Sequence, residues 1–356
     1  MSDKRKDDRR KSMMSLALPD SRQETELVRS VEFGSDAIEF KDEDVRIDYH
    51  GLSIRGETSS PIHQEDLYIV SELGRGACSV VKKAQHVATR ELYALKIFSI
   101  YDREKRLQLL KEIITLTGID CPSLIGFHGA YLKDGSIHVV LEHMDRGSLT
   151  DVIHAWKDVS MDDNIMAAVA YQMLWGLAYL HFERRLHRDI KPQNVLINSR
   201  GEVKLSDFGI ARELDGDTDL AQTMVGTVRY MSPERLAGKG YDSSADVWSM
   251  GIVLLEMATR QLPFRNAATQ IDMHDYLEEM RVEDLLAQCG NASGELVEVL
   301  RGCLHYQPED RLTAEEVLDL PWFSNAGIPD LDAAVEVVGE WVRAAGPQPD
   351  GGGGGT

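Results

Sequence analysis

The sequence predicts an α+β fold of two lobes. A small β-rich lobe spans residues 68–142, a connection lies at 142–147, and a large, mostly helical lobe spans 148–323, with a cleft between the lobes. Three observations predict this. Residues 68–142 carry apolar runs of strand length, rich in Val, Ile, Leu and Tyr and broken by Gly-containing turns. From Gly147 onward, apolar residues recur at helical spacing. Residues 1–66 show little hydrophobic periodicity and many Ser, Asp, Glu and Arg, the composition of a disordered leader.

Order is expected to begin near Tyr68-Ile69-Val70. One strand runs into Leu73-Gly74, a second leaves at Val80-Val81-Lys82, and a third covers Leu92 to Phe98. A helix is expected over 102–117, with Leu107, Leu110, Ile113 and Ile114 on or near one face. Strands 124–132 and 137–142 are joined by a Lys133-Asp134-Gly135 turn. Ile165–Phe182 and Val247–Ala258 are apolar, but Gln172 and Gly176 interrupt the first and the second is too short for a bilayer. Both are expected as buried helices. Residues 324–345 suit one more amphipathic helix, and 346–356 a flexible Gly-rich tail.

The chain has 356 residues and a formal net charge of −20, which disfavours nucleic acid as a partner. Its four cysteines have no CxxC spacing, so neither zinc nor a disulfide framework is indicated, and a reducing, cytoplasmic setting fits. The first eleven residues are polar and no apolar run follows them, so no secretory signal and no membrane insertion are expected.

Two strings carry the chemistry: His187-Arg188-Asp189-Ile190-Lys191-Pro192-Gln193-Asn194 and, downstream, Asp207-Phe208-Gly209. Asp189 can accept a hydroxyl proton and orient that oxygen for attack. Lys191 can neutralise charge developing on a transferred phosphate. Asn194 and Asp207 are hard oxygen donors of the kind Mg²⁺ prefers. His187 reads as a backbone holder, because Asp189 already fills the role of base. Together these residues point to phosphoryl transfer from ATP to a hydroxyl.

Upstream, Leu73-Gly74-Arg75-Gly76-Ala77-Cys78-Ser79-Val80-Val81 joins two strands, and its glycines let backbone amides approach phosphate oxygens. Ser79 stands where a third glycine is usual, so a plain β-hairpin stays open as the alternative. Lys96 lies in an apolar strand, where its charge needs partners such as nucleotide phosphates or Glu112; edge-strand solubilisation is the competing reading. Pairing with Lys96 is the expectation for Glu112, and a solvated helix face at Lys111-Glu112 is the alternative. Ala94, Val81 and Leu196 are candidates to sandwich an adenine ring, with backbone groups at Glu142 and Met144 reading its edge; each apolar residue could also be ordinary core.

These strings resemble the eukaryotic protein kinase fold over about residues 68–323. Lys191 resembles the serine/threonine and dual-specificity classes. The segment 225–236, VGTVRYMSPERL, and the segment 141–149, LEHMDRGSL, are similar to those of MAP kinase kinases, with Arg146 replacing a glycine of that family. Residues 104–113 look most like the plant-type subgroup. The resemblance implies phosphorylation of Thr and Tyr in the activation loop of a MAP kinase, and activation by an upstream MAP kinase kinase kinase.

Arg9, Arg10 and Lys11 followed by Leu16 and Leu18 resemble the family's MAP kinase docking peptide. A nuclear-localisation patch and a merely soluble leader remain open. Thr223 aligns with one activating phosphosite, while Asp219 occupies the other, beside Thr218. The readings are a half-activated loop, a shifted site at Thr218, or looser control. Residues 330–342 resemble the family's C-terminal docking site for upstream kinases, and a plain capping helix is the alternative. Glu234 and Arg311 are expected to form a buried pair, and Asp246 to hold the backbone of the catalytic loop. Another Ser/Thr kinase of the upstream tiers and a pseudokinase scaffold are the competing functions; the intact Lys96, Asp189, Asn194 and Asp207 argue against the second.

Overall fold

The computed structural model describes residues 31–33, 37–40, 45–54, 57–58, 62–76, 79–99, 109, 113, 116–156, 161–207, 228–262, 264, 270–279, 281–290 and 292–346. The chain divides into two compact units. One comprises residues 1–120 and 125–143; the other comprises 121–124 and 144–356.

The first unit holds two antiparallel sheets. Strands β1 (Val31–Phe33), β2 (Ala37–Phe40), β3 (Val45–Asp48), β4 (Gly51–Ile54) and β5 (Glu57–Thr58) form a meander in sequence order. The expectation is a disordered leader through residue 66; the strands between 31 and 58 correct it there, while residues 1–30 lie outside the described residues. The alternation is real but short: Ile38, Val45, Ile47 and Leu52 are buried, while the intervening positions are polar. Arg46 lies opposite Glu39 in register and also binds Asp48 at 2.7 Å. Each strand has four residues or fewer, so the charged turns dominate the composition and hide the period.

The second sheet runs in the order β6-β7-β8-β10-β9, built from β6 (Leu67–Arg75), β7 (Ser79–His86), β8 (Leu92–Phe98), β9 (Phe127–Lys133) and β10 (Ser136–Glu142). The β9–β10 turn has positive φ at both Asp134 (49°) and Gly135 (72°), which matches the right-handed twist of the flanking strands. Its first strand starts at Phe127 rather than Leu124, because Leu124 bridges instead to Leu205 in the other unit's fold. One face of the sheet is apolar: Ala84, Tyr93, Leu95, Tyr131 and Val140 cluster with Ile62. Strands β3 and β4 pack against β9. His138 is buried and stacks on Tyr131, with ring centroids 4.9 Å apart. Burial pushes its imidazole down to about 4. Of the helix expected over 102–117, the described residues Leu109, Ile113 and Leu116 are helical and buried, at i, i+4 and i+7.

The second unit is helical, with α1 (Leu149–Ala155), α2 (Asp163–Phe182), α3 (Pro233–Leu236), α4 (Ser244–Thr259), α5 (Gln270–Glu279), α6 (Val282–Leu286), α7 (Gly294–Cys303), α8 (Ala314–Leu318), α9 (Pro321–Asn325) and α10 (Leu331–Ala345). Helix α2 is long and apolar enough to cross a membrane, yet most of it is buried inside this unit by α4, α8, α10 and the strand at Val203–Leu205. Asp162 caps it, accepting from Ile165 N at 3.1 Å. Gly176 is required by crowding: a Cβ there would meet Ser123 O at 2.9 Å. A hairpin of β11 (Val195–Ile197) and β12 (Val203–Leu205) interrupts the helices.

Candidate active site

Asp246, the third residue of α4, organises the catalytic string. It is 1% exposed, and its two oxygens accept from His187 N and Arg188 N, each at 2.8 Å. His181, near the end of α2, adds a contact of 3.1 Å from Nε2. Burial raises the Asp246 carboxyl, but the His181 bond, the nearby imidazoles and the His187 amide outweigh that and hold it below the usual carboxylate range. The helix N-terminus adds to the effect. The clamp fixes Arg188 in the left-handed region at φ 68°, a conformation a non-glycine residue keeps only under constraint. Arg235 secures the same residue, donating from Nη1 to Arg188 O at 2.8 Å.

Beyond the clamp, three expected site residues converge. Lys191 Nζ lies 2.8 Å from Asp189 Oδ2. Asn194 Nδ2 donates to Asp189 Oδ2 and to Asp189 O, both at 2.8 Å. Pro192 opens a single 3-10 turn, 192–194, closed by Asn194 N to Lys191 O at 2.9 Å. His187 is fully buried, and its Nδ1 accepts from Asp189 N at 3.3 Å. Burial lowers its pKa despite the attraction of Asp246, Asp189 and Asp207, so the ring is a neutral backbone holder, in line with its expected role.

Asn194 and Asp207 flank the β11–β12 hairpin. Ser206 joins the two ends, with N to Asn194 O at 2.9 Å and Oγ to the same oxygen at 3.2 Å. Asp207 sits at φ 60°, a second non-glycine left-handed residue in the site. The Asn194 amide nitrogen is spent on Asp189, which leaves the side-chain oxygen as its donor toward a cation. With the Asp207 carboxylate this is a hard-oxygen pair of the type that suits Mg²⁺. Leu196 is half-buried on β11, bridged to Ser148. Met144 is buried, and its carbonyl accepts from Gly147 N at 3.2 Å.

In the first unit, Lys96 is 6% exposed on β8, the middle strand of its sheet, which removes the edge-strand alternative. Its Nζ lies 5.4 Å from the Phe98 ring centre. Register places Val81 and Val139 directly beside it, with Ala94 two residues away on the same face. Leu73 is 49% exposed, and Val81 and Ala94 are half-buried. A Cβ on Gly74 would meet nothing within 4 Å, and Gly76 N donates to Ser79 O at 2.8 Å. Among the described residues neither crowding nor positive φ demands glycine at 74, and the open space suits a phosphate brought by a ligand. Glu142 N donates to Gly126 O at 2.8 Å, and its Oε2 accepts from Gly126 N at 3.3 Å. Ala77, Cys78, Glu112, Phe208, Thr218, Asp219, Thr223 and the 9–18 peptide lie outside the described residues.

The segment 225–236 carries a buried anchor at Glu234. Arg311 forms two 2.8 Å bonds to Glu234, and its remaining donors go to the carbonyls of His305 (2.7 Å), Ser244 (3.1 Å) and Tyr306 (3.0 Å). Its guanidinium also lies 5.0 Å from the Trp248 ring centre. The sequence pointed to the pair and to Asp246. It did not point to the roles of His181, Arg235 or Ser206: His181 supports the Asp246 carboxylate, while Arg235 and Ser206 donate to backbone carbonyls.

This arrangement defines a protein kinase. Residues 67–323 match the protein kinase domain. The chain is 35% identical over 312 residues to Mitogen-activated protein kinase kinase 2 of Arabidopsis thaliana, covering 83% of this chain and 85% of that one. It is 31% identical over 351 residues to Mitogen-activated protein kinase kinase SIPKK of Nicotiana tabacum, covering 94% and 95%. It is 32% identical over 301 residues to Dual specificity mitogen-activated protein kinase kinase dSOR1 of Drosophila melanogaster, covering 78% and 75%. The chain belongs to the MAP kinase kinase family.

Proposed function

We propose that the chain transfers the γ-phosphoryl group of ATP to both Thr and Tyr in the activation loop of a MAP kinase. The observation that carries this is the Asp189 constellation: a carboxylate held by Asn194 and faced by Lys191, on a backbone clamped by Asp246. In this reading Asp189 accepts the substrate hydroxyl's proton as its oxygen attacks, and Lys191 offsets charge on the phosphoryl oxygens. Asn194 and Asp207 would hold Mg²⁺, which shields the phosphates and orients them. Lys96 would bind the nucleotide phosphates, the 73–81 loop would cover them, and Ala94, Val81 and Leu196 would contact the base.

An upstream MAP kinase kinase kinase would activate the chain by phosphorylating Thr223, with Thr218 as a second acceptor beside Asp219. The docking peptide at Arg9, Arg10, Lys11, Leu16 and Leu18 would recruit the substrate. A cytoplasmic location, extended to the nucleus through the basic run 4–11, fits both the partners and the buried, reduced thiols of Cys289 and Cys303. The test is incubation with kinase-dead MAP kinases and phosphosite mapping by mass spectrometry, with Asp189→Asn as control. Paired phosphates on a TxY loop, absent with Asp189→Asn, are expected. Phosphate only on unrelated Ser or Thr would reject the substrate assignment. Full inducible activity in Thr223→Ala would reject the switch.

A further inference from the structure

The hairpin that carries Asn194 and Asp207 at its open end is gripped at its closed end. A Cβ on Gly201 (φ 94°) would collide with Val335 O and Gly339 N of α10. A Cβ on Gly339 would in turn meet Arg200 O at 2.8 Å. The two glycines strip away side chains on both sides, so turn backbone rests on helix backbone. Gln172 of α2 locks the same turn, donating from Nε2 to Gly201 O at 3.1 Å and accepting at Oε1 from Val203 N at 2.8 Å.

Helix α10 is itself tied to the segment that follows Met144. Arg146 Nη1 donates to Gly346 O, just past the helix end, at 2.8 Å. Trp341 meets Trp156 edge-on, with centroids 5.1 Å apart. Arg146 N donates to Ile197 O at 3.0 Å, and Ile197 N donates to Gly147 O at 2.9 Å. The hairpin is therefore reached from α10 along two routes, one through its turn and one through Arg146 and β11.

We infer that α10 is a positioning element of the phosphoryl-transfer site: it holds the β11–β12 hairpin and so sets the placement of Asn194 and Asp207. The inference rests on the reading of those two residues as Mg²⁺ ligands. Contact between side chains can be absorbed by a change of rotamer, but contact between two backbones cannot, so displacement of α10 is passed to the hairpin. Arg146, Trp341, Gly201 and Gly339 act through the hairpin and do not touch substrate.

The test uses the full chain, a fluorescent ATP analogue with and without Mg²⁺, and hydrogen exchange at 199–203. Arg146→Ala and Trp341→Ala are expected to weaken Mg²⁺-dependent nucleotide binding about tenfold, the usual scale for residues that support metal ligands. Binding without Mg²⁺ stays unchanged, exchange at 199–203 quickens, and Arg146→Lys restores the wild-type values. A lower melting temperature with unchanged Mg²⁺-dependent affinity and exchange would overturn the inference. Should Trp341→Ala fail to fold, Arg146→Ala and its Lys rescue decide the outcome. Asp207→Asn separates the two readings. If it keeps the Mg²⁺ enhancement, the metal assignment fails; if it loses the enhancement while Arg146→Ala does not, only the role of α10 fails.

Discussion

The catalytic string 187–207 and the glycine-bearing hairpin β6–β7 are assigned to the same nucleotide, yet they are built in opposite ways. The string is over-determined, with His187, Ile190, Pro192 and Asn194 buried. Asp246 takes two of its amides, Asn194 ties its carboxylate, and Ser206 ties its ends. The hairpin lies open: Tyr68, Ile69, Val70 and Leu73 are 41–52% exposed along β6, and Gly74 faces empty space. The difference tracks the work each does. Groups that meet developing charge must be aligned before reaction, since reorganising them during it would raise the barrier. A cover for phosphates must admit and release a ligand, so its order can come from the ligand.

Four measurements would break or sharpen that contrast. Asp189→Asn should lower kcat by roughly 10²–10⁴-fold, the range for loss of a general base, while the melting temperature stays near wild type. A kinase that kept its rate would place the base elsewhere. Arg311→Leu leaves Glu234 buried without its partner and should cost about 3–5 kcal/mol, read in denaturant unfolding. The same substitution made in an exposed pair such as Arg301–Glu283 should be nearly silent.

The third measurement concerns His138, whose folded pKa is about 4. Above pH 6.5 both folded and unfolded states are neutral, and the residue contributes nothing. As pH falls from 6.5 toward 4, the unfolded chain takes up a proton that the native one refuses, and stability drops by roughly 3 kcal/mol. His138→Phe, which keeps the stack on Tyr131, should flatten that part of the pH–stability curve; an unchanged curve would refute the assignment. The smallest effect is expected for Gly74→Ala. The described residues leave room for the methyl group, so unfolding should not change, while KM for ATP rises about tenfold, the worth of one hydrogen bond to a charged group. Equal losses in stability and KM would show that the hairpin is as tightly built as the string.

The string was legible because its chemistry needs particular residue types at fixed spacing. Asp189, Lys191, Asn194 and Asp207 are close in sequence, and the order of the two strings does most of the work. The Asp246 clamp was legible for a related reason: a carboxylate inside an apolar helical segment requires partners. Ser206 and Arg235 were not legible, because each contributes a bond to a backbone carbonyl that any polar donor could make, and His181 was not, because its partner Asp246 lies 65 residues away. The meander at 31–58 was missed because strands of four residues or fewer give too few repeats to establish a period against their charged turns. Arg146 was noticed as a departure from a glycine, but its partner lies 200 residues away, at Gly346, beyond the reach of spacing arguments.

The meander bears on where this protein can be cut. The kinase-domain match begins at residue 67, just after Ile62, which packs into the cluster of Ala84, Tyr93, Leu95, Tyr131 and Val140. It ends at residue 323, before α10 begins at Leu331. A fragment trimmed to residues 67–323 would leave apolar surface wet at both margins, an aggregation hazard during expression. The smallest well-behaved fragment of this protein is therefore larger than its kinase-domain match.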